Sequence, residues 1–83
     1  MERFEQAQID VKAATTRPHN NDLLVLYSHF KQATAGDASG SKKPGRFDVV
    51  GKAKYDAWSK LAGMSADEAM TGYIAKVDQL LGR

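Results

Sequence analysis

The chain contains no cysteine, which excludes disulfides and thiolate metal sites as sources of stability and fits a reducing compartment. Histidine is nearly as scarce. His19 and His29 are the only two, without a partner histidine at ligand spacing, so no metal site is expected. No segment approaches the roughly 18 apolar residues required to span a bilayer. The opening MERFEQAQID carries acidic residues where a signal peptide needs an apolar run. An excess of one charge is also lacking, since twelve basic residues face ten acidic ones, a formal net charge of +2. A general nucleic-acid binder depends on many phosphate contacts and is disfavoured. Together these absences predict a soluble, cytoplasmic protein with no nucleic-acid partner and no integral membrane association. At 83 residues a single domain over 1–83 is expected. A chain this short buries only about 60 % of its unfolded surface, so each apolar face matters.

The residues present are patterned for helices. Phe4, Ala7, Val11 and Ala14 recur at spacings of three and four, predicting a helix from about Arg3 to Ala14 that Thr15, Thr16 and Pro18 end. Asn20 or Asn21 then caps a second helix running to about Ala35, with Gly36 as its stop. Gly36 to Arg46 reads as a long loop. A third helix starts near Asp48 to Gly51 and ends around Leu61. Ser65-Ala66-Asp67-Glu68 fits a capping box opening a fourth, and Met70, Tyr73, Ile74, Val77, Leu80 and Leu81 form its apolar stripe. No strand-like alternation competes, so the fold class is all-α, a four-helix bundle.

Helix two is the most informative segment. At 100° per residue, Ala33, Leu26, Phe30, Leu23, Thr34, Tyr27, Lys31 and Leu24 cover an arc of about 180°, whereas packing one surface helix needs about 100°. Either this helix packs on two neighbours, or part of the arc lines a ligand groove. Lys31 lies inside the arc, one turn from Tyr27, where a structural lysine would point outward or snorkel. In helix three, Trp58 reads as core, Tyr55 as core or contact, and Lys52 and Lys60 as solvated charge. Lys54, taken with Lys31, is a candidate phosphate clamp, because an ammonium is a compact charge with three donors. Seven of the twelve basic residues lie between Lys31 and Lys60, consistent with a local anion site. Lys42, Lys43 and Arg46 are read as loop solubility, since no aromatic interleaving accompanies them. No phosphate-loop or dinucleotide fingerprint occurs. Ser28 and His29 are helix neighbours that point about 100° apart, so no catalytic arrangement is expected and the protein is read as a non-enzyme.

Two stretches, YSHFKQATAGD from Tyr27 to Asp37 and PGRFDVVGKAKYDAW from Pro44 to Trp58, closely resemble the acyl-CoA-binding protein family, and the likeness extends from about Phe4 to Leu80. The resemblance implies an up-down-down-up four-helix bundle that binds medium- to long-chain fatty acyl-CoA without chemistry, needs no cofactor, and serves fatty-acid metabolism as a monomeric carrier and pool former. It further implies that Tyr27, Lys31, Lys54 and Tyr73 hold the CoA head group, with Tyr27, Lys31 and Lys54 facing the ribose phosphate. Phe30 and Tyr73 would lie near the adenine, Lys12 would reach the pantetheine or phosphates, and Leu23 and Leu24 would contact the acyl chain. Three positions depart from the family pattern. Phe30 stands where tyrosine is usual, Val50 where many members carry lysine, and Tyr55 where tryptophan is more usual. The rival reading is a helical protein-interaction module in which the wide apolar arc docks a partner helix without CoA.

Overall fold

Ser65 begins the most sharply defined element. Its hydroxyl accepts from the Glu68 backbone N–H at 3.1 Å, and the Glu68 carboxylate accepts from the Ser65 N–H at 3.1 Å, satisfying two free donors of the first turn. The computed structural model describes residues 2–15, 17–41 and 43–83, and helix α4 spans Ala66–Leu81. Preceding it are α1 (Glu2–Ala13), α2 (Asn20–Ala35) and α3 (Val49–Ser59), with a 3₁₀ turn at Ala38–Gly40 inside the long α2–α3 connection. The described residues form no strand, and no helix among them is long and apolar enough to cross a membrane.

The helix boundaries follow local chemistry, with three departures from expectation. The cap of α2 is His19 rather than an asparagine, and its carbonyl accepts the Leu23 N–H at 3.0 Å. Asn20 is already helical, which leaves that end without a side-chain cap. Helix α1 ends at Ala13, one residue earlier than the spacing suggests, and Thr16 lies outside the described residues. Helix α3 ends at Ser59 because its last turns tighten: Leu61, Ala62 and Met64 donate three residues back. Asp48 caps that helix by accepting from Gly51 N–H at 2.9 Å. Gly36 closes α2 at φ 81°, a value that L side chains rarely adopt, and its ψ of −150° sends the chain out extended.

The core runs along α4. Phe4 and Ala7 of α1, Leu26 of α2, and Tyr73 and Val77 of α4 are buried together, with Val11, Phe30, Met70, Ile74 and Leu80 packed around them. Phe4 meets Tyr73 edge-on at 5.1 Å and stacks on Phe30 at 6.0 Å, pairs that contribute about 0.5–1.5 kcal/mol each beyond area burial. The apolar stripes read from α1 and α4 are therefore the packed faces.

Helix α2 packs on both α3 and α4, which accounts for its wide arc. Against α4, Asp22 pairs with Lys76 at 2.7 Å, and the His29 ring covers Gly72, where any Cβ would collide with it. Ser28 and Gln32 of α2 are also buried, and Gln32 is the hub. Its Nε2 donates to Asp37 Oδ1 at 2.8 Å and to the Met64 carbonyl at 2.9 Å, while the same Asp37 oxygen accepts from Gly63 N–H at 2.9 Å. These bonds, Gln32 first, hold the Asp37 carboxyl below the usual carboxylate range. They fasten the end of α2 to the turn after α3 and so fix where α3 lies.

Candidate functional site

Helices α1 and α2 both rest mainly on α4 rather than on each other. That arrangement leaves a groove between them, floored by Tyr73. The resulting cleft has a volume of about 230 Å³ and is lined by Gln8 and Lys12 from α1, Leu26, Tyr27 and Phe30 from α2, and Tyr73 from α4. Four residues singled out from the sequence, Lys12, Tyr27, Phe30 and Tyr73, thus meet at one place. Burial pushes the Tyr73 phenol up, so it stays neutral and keeps its proton for donation. Phe30 and Tyr73 are held in the core by Phe4, so both rings are positioned before any ligand arrives.

The two candidate clamp lysines lie along the seam of α2 and α3. Lys54 Nζ sits 5.2 Å from the centroid of the Tyr27 ring, which itself borders the cleft. Lys31 Nζ sits 5.0 Å from the Trp58 ring. Trp58 is buried and donates its indole N–H to the Gly36 carbonyl at 2.7 Å, so Lys31 rests on a fixed platform. Tyr55 meets Trp58 edge-on at 6.5 Å and points its hydroxyl at the Ala38 carbonyl, 3.4 Å away, too far for a strong bond. Among the described residues no carboxylate pairs with Lys12, Lys31 or Lys54. An aromatic face neutralises an ammonium only weakly, so these cations retain most of their capacity for an anion.

The remaining candidates are less tightly placed. Neither Lys31 nor Lys54 lines the cleft, and Leu23 and Leu24 lie half-buried on α2 outside it. Gln8 and Leu26 line it and were not singled out. Leu26 stood on the apolar arc, and Gln8 precedes Lys12 by one helical turn, a spacing that places both on the same face. Ser28 and His29 do not form a nucleophile and base pair, since Ser28 Oγ and His29 Nδ1 both contact the Val25 carbonyl, at 3.0 and 2.7 Å. Among the described residues no three His, Cys, Asp or Glu side chains gather as metal ligands.

With this geometry in view, the family model for acyl CoA binding protein matches residues 1–77. The chain belongs to the acyl-CoA-binding protein family. Relatives in this family include the acyl-CoA-binding protein homolog of Manduca sexta, 51 % identical over 96 % of this chain and 89 % of that protein. The acyl-CoA-binding protein of Brassica napus is 50 % identical over 96 % of this chain and 86 % of its own length. The crystal structure of Oryza sativa acyl-CoA-binding protein 2 superposes with a TM-score of 0.89 at 41 % identity, covering 98 % of this chain and 89 % of that one. Likeness to the crystal structure of the Moniliophthora perniciosa family member gives the same TM-score at 34 % identity, over 98 % of this chain and 79 % of the other. The all-α, up-down-down-up bundle implied by the sequence resemblance is thus the fold of this acyl-CoA-binding protein family member.

Proposed function

We propose that this protein binds medium- to long-chain fatty acyl-CoA without altering it, as a monomeric intracellular carrier that maintains a pool of the ester. The observation that carries the reading is a preformed aromatic cleft lined by Lys12, with the Lys54 ammonium over the Tyr27 ring at its border and Lys31 farther along the seam of α2 and α3. Such a surface suits a ligand that joins a nucleotide polyphosphate to hydrocarbon. Membership of the family, and the names of its relatives, point to the same ligand.

In this mechanism Tyr27, Lys31 and Lys54 face the ribose phosphate, and the Phe30 and Tyr73 rings take the adenine. Lys12, across the groove on α1, reaches the pantetheine or remaining phosphates, while Leu23 and Leu24 contact the acyl chain. Each ammonium–phosphate bond contributes roughly 1.5–3 kcal/mol. Each methylene withdrawn from water adds about 0.8 kcal/mol, so a long chain supplies around 10 kcal/mol before ordering costs. Phe30 keeps the stacking surface while lacking a hydroxyl, and Val50, largely exposed, offers no charge where many members carry lysine. These departures tune affinity rather than ligand class. Calorimetric titration with acetyl-, octanoyl- and palmitoyl-CoA tests the proposal. Affinity should rise steeply with chain length, with free palmitate binding poorly; equal affinity for the acetyl and palmitoyl esters would refute it.

A further inference from the structure

Gln8 borders the cleft floored by Tyr73, one helical turn before Lys12 on the same face of α1. The chain has four glutamines, and the other three are committed to partners. Gln6 donates to Asp10 at 2.8 Å, Gln32 donates to Asp37 and Met64 at 2.8 and 2.9 Å, and Gln79 accepts from Lys76 at 3.1 Å. Gln8 differs. Its Nε2 reaches only the Phe4 carbonyl, at 3.3 Å, beyond the usual range for such a bond. That carbonyl lies four residues back on the same helix, where the backbone ladder already gives it a donor. Among the described residues no donor reaches the Gln8 Oε1. The half-buried amide therefore keeps an open acceptor and a loosely held donor at the rim of the site.

The other walls of the cleft cannot supply the same pattern. A volume of about 230 Å³ is below the roughly 300–1,000 Å³ of pockets that take a whole small molecule, so the cleft suits a single ring system. Leu26 and Phe30 offer that ring apolar surface, Lys12 offers donors only, and the Tyr27 and Tyr73 hydroxyls offer one oxygen each. Gln8 alone among the lining side chains presents a donor and an acceptor side by side at fixed spacing. The edge of adenine is complementary to that pair, since its exocyclic N6–H donates and the adjacent ring nitrogen accepts.

We propose that Gln8 is a specificity-determining residue that reads the adenine base of the bound ester. Its Oε1 accepts from N6–H while its Nε2 donates to the neighbouring ring nitrogen. The inference rests on the acyl-CoA reading and goes beyond it. Stacking on Phe30 and Tyr73 tolerates any flat base, because every base has a π-face, whereas the Gln8 amide selects adenine. Giving up the long bond to Phe4 loses little, since the Phe4 carbonyl stays paired in the helix.

Titration calorimetry tests this with palmitoyl-CoA and its etheno derivative, in which a carbon bridge joins N6 to N1 and leaves N6 without a hydrogen. The wild-type protein should bind palmitoyl-CoA about tenfold more tightly than the etheno ester, toward the lower end of what one bidentate amide–adenine pair discriminates. Gln8→Met keeps the length of the side chain and removes the amide. It should bind palmitoyl-CoA about tenfold more weakly and the etheno ester unchanged, so that the preference vanishes, and Gln8→Ala should behave alike. Methionine and alanine are both good helix formers, so circular dichroism should report an intact fold in each variant. Variants that bind palmitoyl-CoA as tightly as the wild type, or that lose affinity for both esters equally, would overturn the assignment of Gln8 and leave the acyl-CoA reading standing. A wild-type protein that binds neither ester would overturn both.

Discussion

Replacing Lys31 by alanine separates the two roles that its position allows. In the free protein its ammonium lies 5.0 Å from the centroid of the Trp58 ring, on a half-buried stem. Losing a cation–π contact of this kind costs about 0.5–1 kcal/mol. For a domain of this size each kcal/mol moves Tm by about 4–8 °C, so a fall of about 2–8 °C is expected. The ligand-bound state loses more, because a charge-assisted bond to phosphate contributes roughly 1.5–3 kcal/mol. If the bond to phosphate replaces the Trp58 contact, the net loss falls toward the lower end, about tenfold in affinity. Lys54→Ala should weaken binding similarly with a smaller change in Tm, since that side chain is exposed and only rests over Tyr27. Titration calorimetry with palmitoyl-CoA, paired with thermal melts, reads both quantities. Affinity unchanged in both variants, with helicity intact, would refute the phosphate clamp.

Other predictions probe the scaffold. Gly72→Ala should lower Tm despite the better helix propensity of alanine, about 1 kcal/mol, because the new Cβ meets the His29 ring held at the Val25 carbonyl. In a His29→Ala background the same change should stabilise; melts of the four-variant cycle decide, and destabilisation in both backgrounds would contradict the packing. Ser65→Ala should cost about 1 kcal/mol in urea unfolding through loss of the capping box, and no change would mean that the cap is dispensable. Asp22, Asp37 and Glu68 titrate below the usual carboxylate range, held there first by Lys76, Gln32 and Ser65 respectively. Their contribution is present above the unfolded carboxylate pKa and disappears as pH falls through the folded values. Tm should therefore be flat from about pH 7 to 5 and drop below about pH 4. A melt as stable at pH 3 as at pH 6 would contradict those contacts.

The elements readable from the sequence were those whose signals are local. Ser65 and Glu68 lie three residues apart and cap each other without help from the rest of the chain. Asp48 caps α3 just as locally, by accepting the Gly51 N–H three residues on, and the stripes through Phe4 and Val77 needed only helical periodicity. What escaped depends on distant partners or on backbone groups without a side-chain signal. Gln32 reads as an ordinary polar helix residue until the fold brings Met64, 32 residues away, to its amide. His19 caps α2 through its backbone carbonyl, which carries no side-chain signature. The breadth of the apolar arc on α2 has a plain structural cause, packing on two helices, and Phe30 and Tyr27 reach the cleft only because α1 leaves a gap over Tyr73. Pairing of Lys31 with Trp58 and of Lys54 with Tyr27 follows from the register of α2 on α3, which no single helix encodes. Lys42, read as loop solubility, lies outside the described residues.

A fatty acyl thioester of CoA is expected to sit over the cleft of Tyr27, Phe30 and Tyr73 and along the adjoining seam of α2 and α3. Titrating isotope-labelled protein with palmitoyl-CoA, while following amide and aromatic resonances, addresses it directly. The largest shifts are expected at Lys12, Tyr27, Phe30, Lys31, Lys54 and Tyr73, with adenine protons in through-space contact with the Phe30 or Tyr73 ring. Shifts confined instead to the separate cleft formed by Thr15, Arg17, His19 and Leu81 would contradict the account.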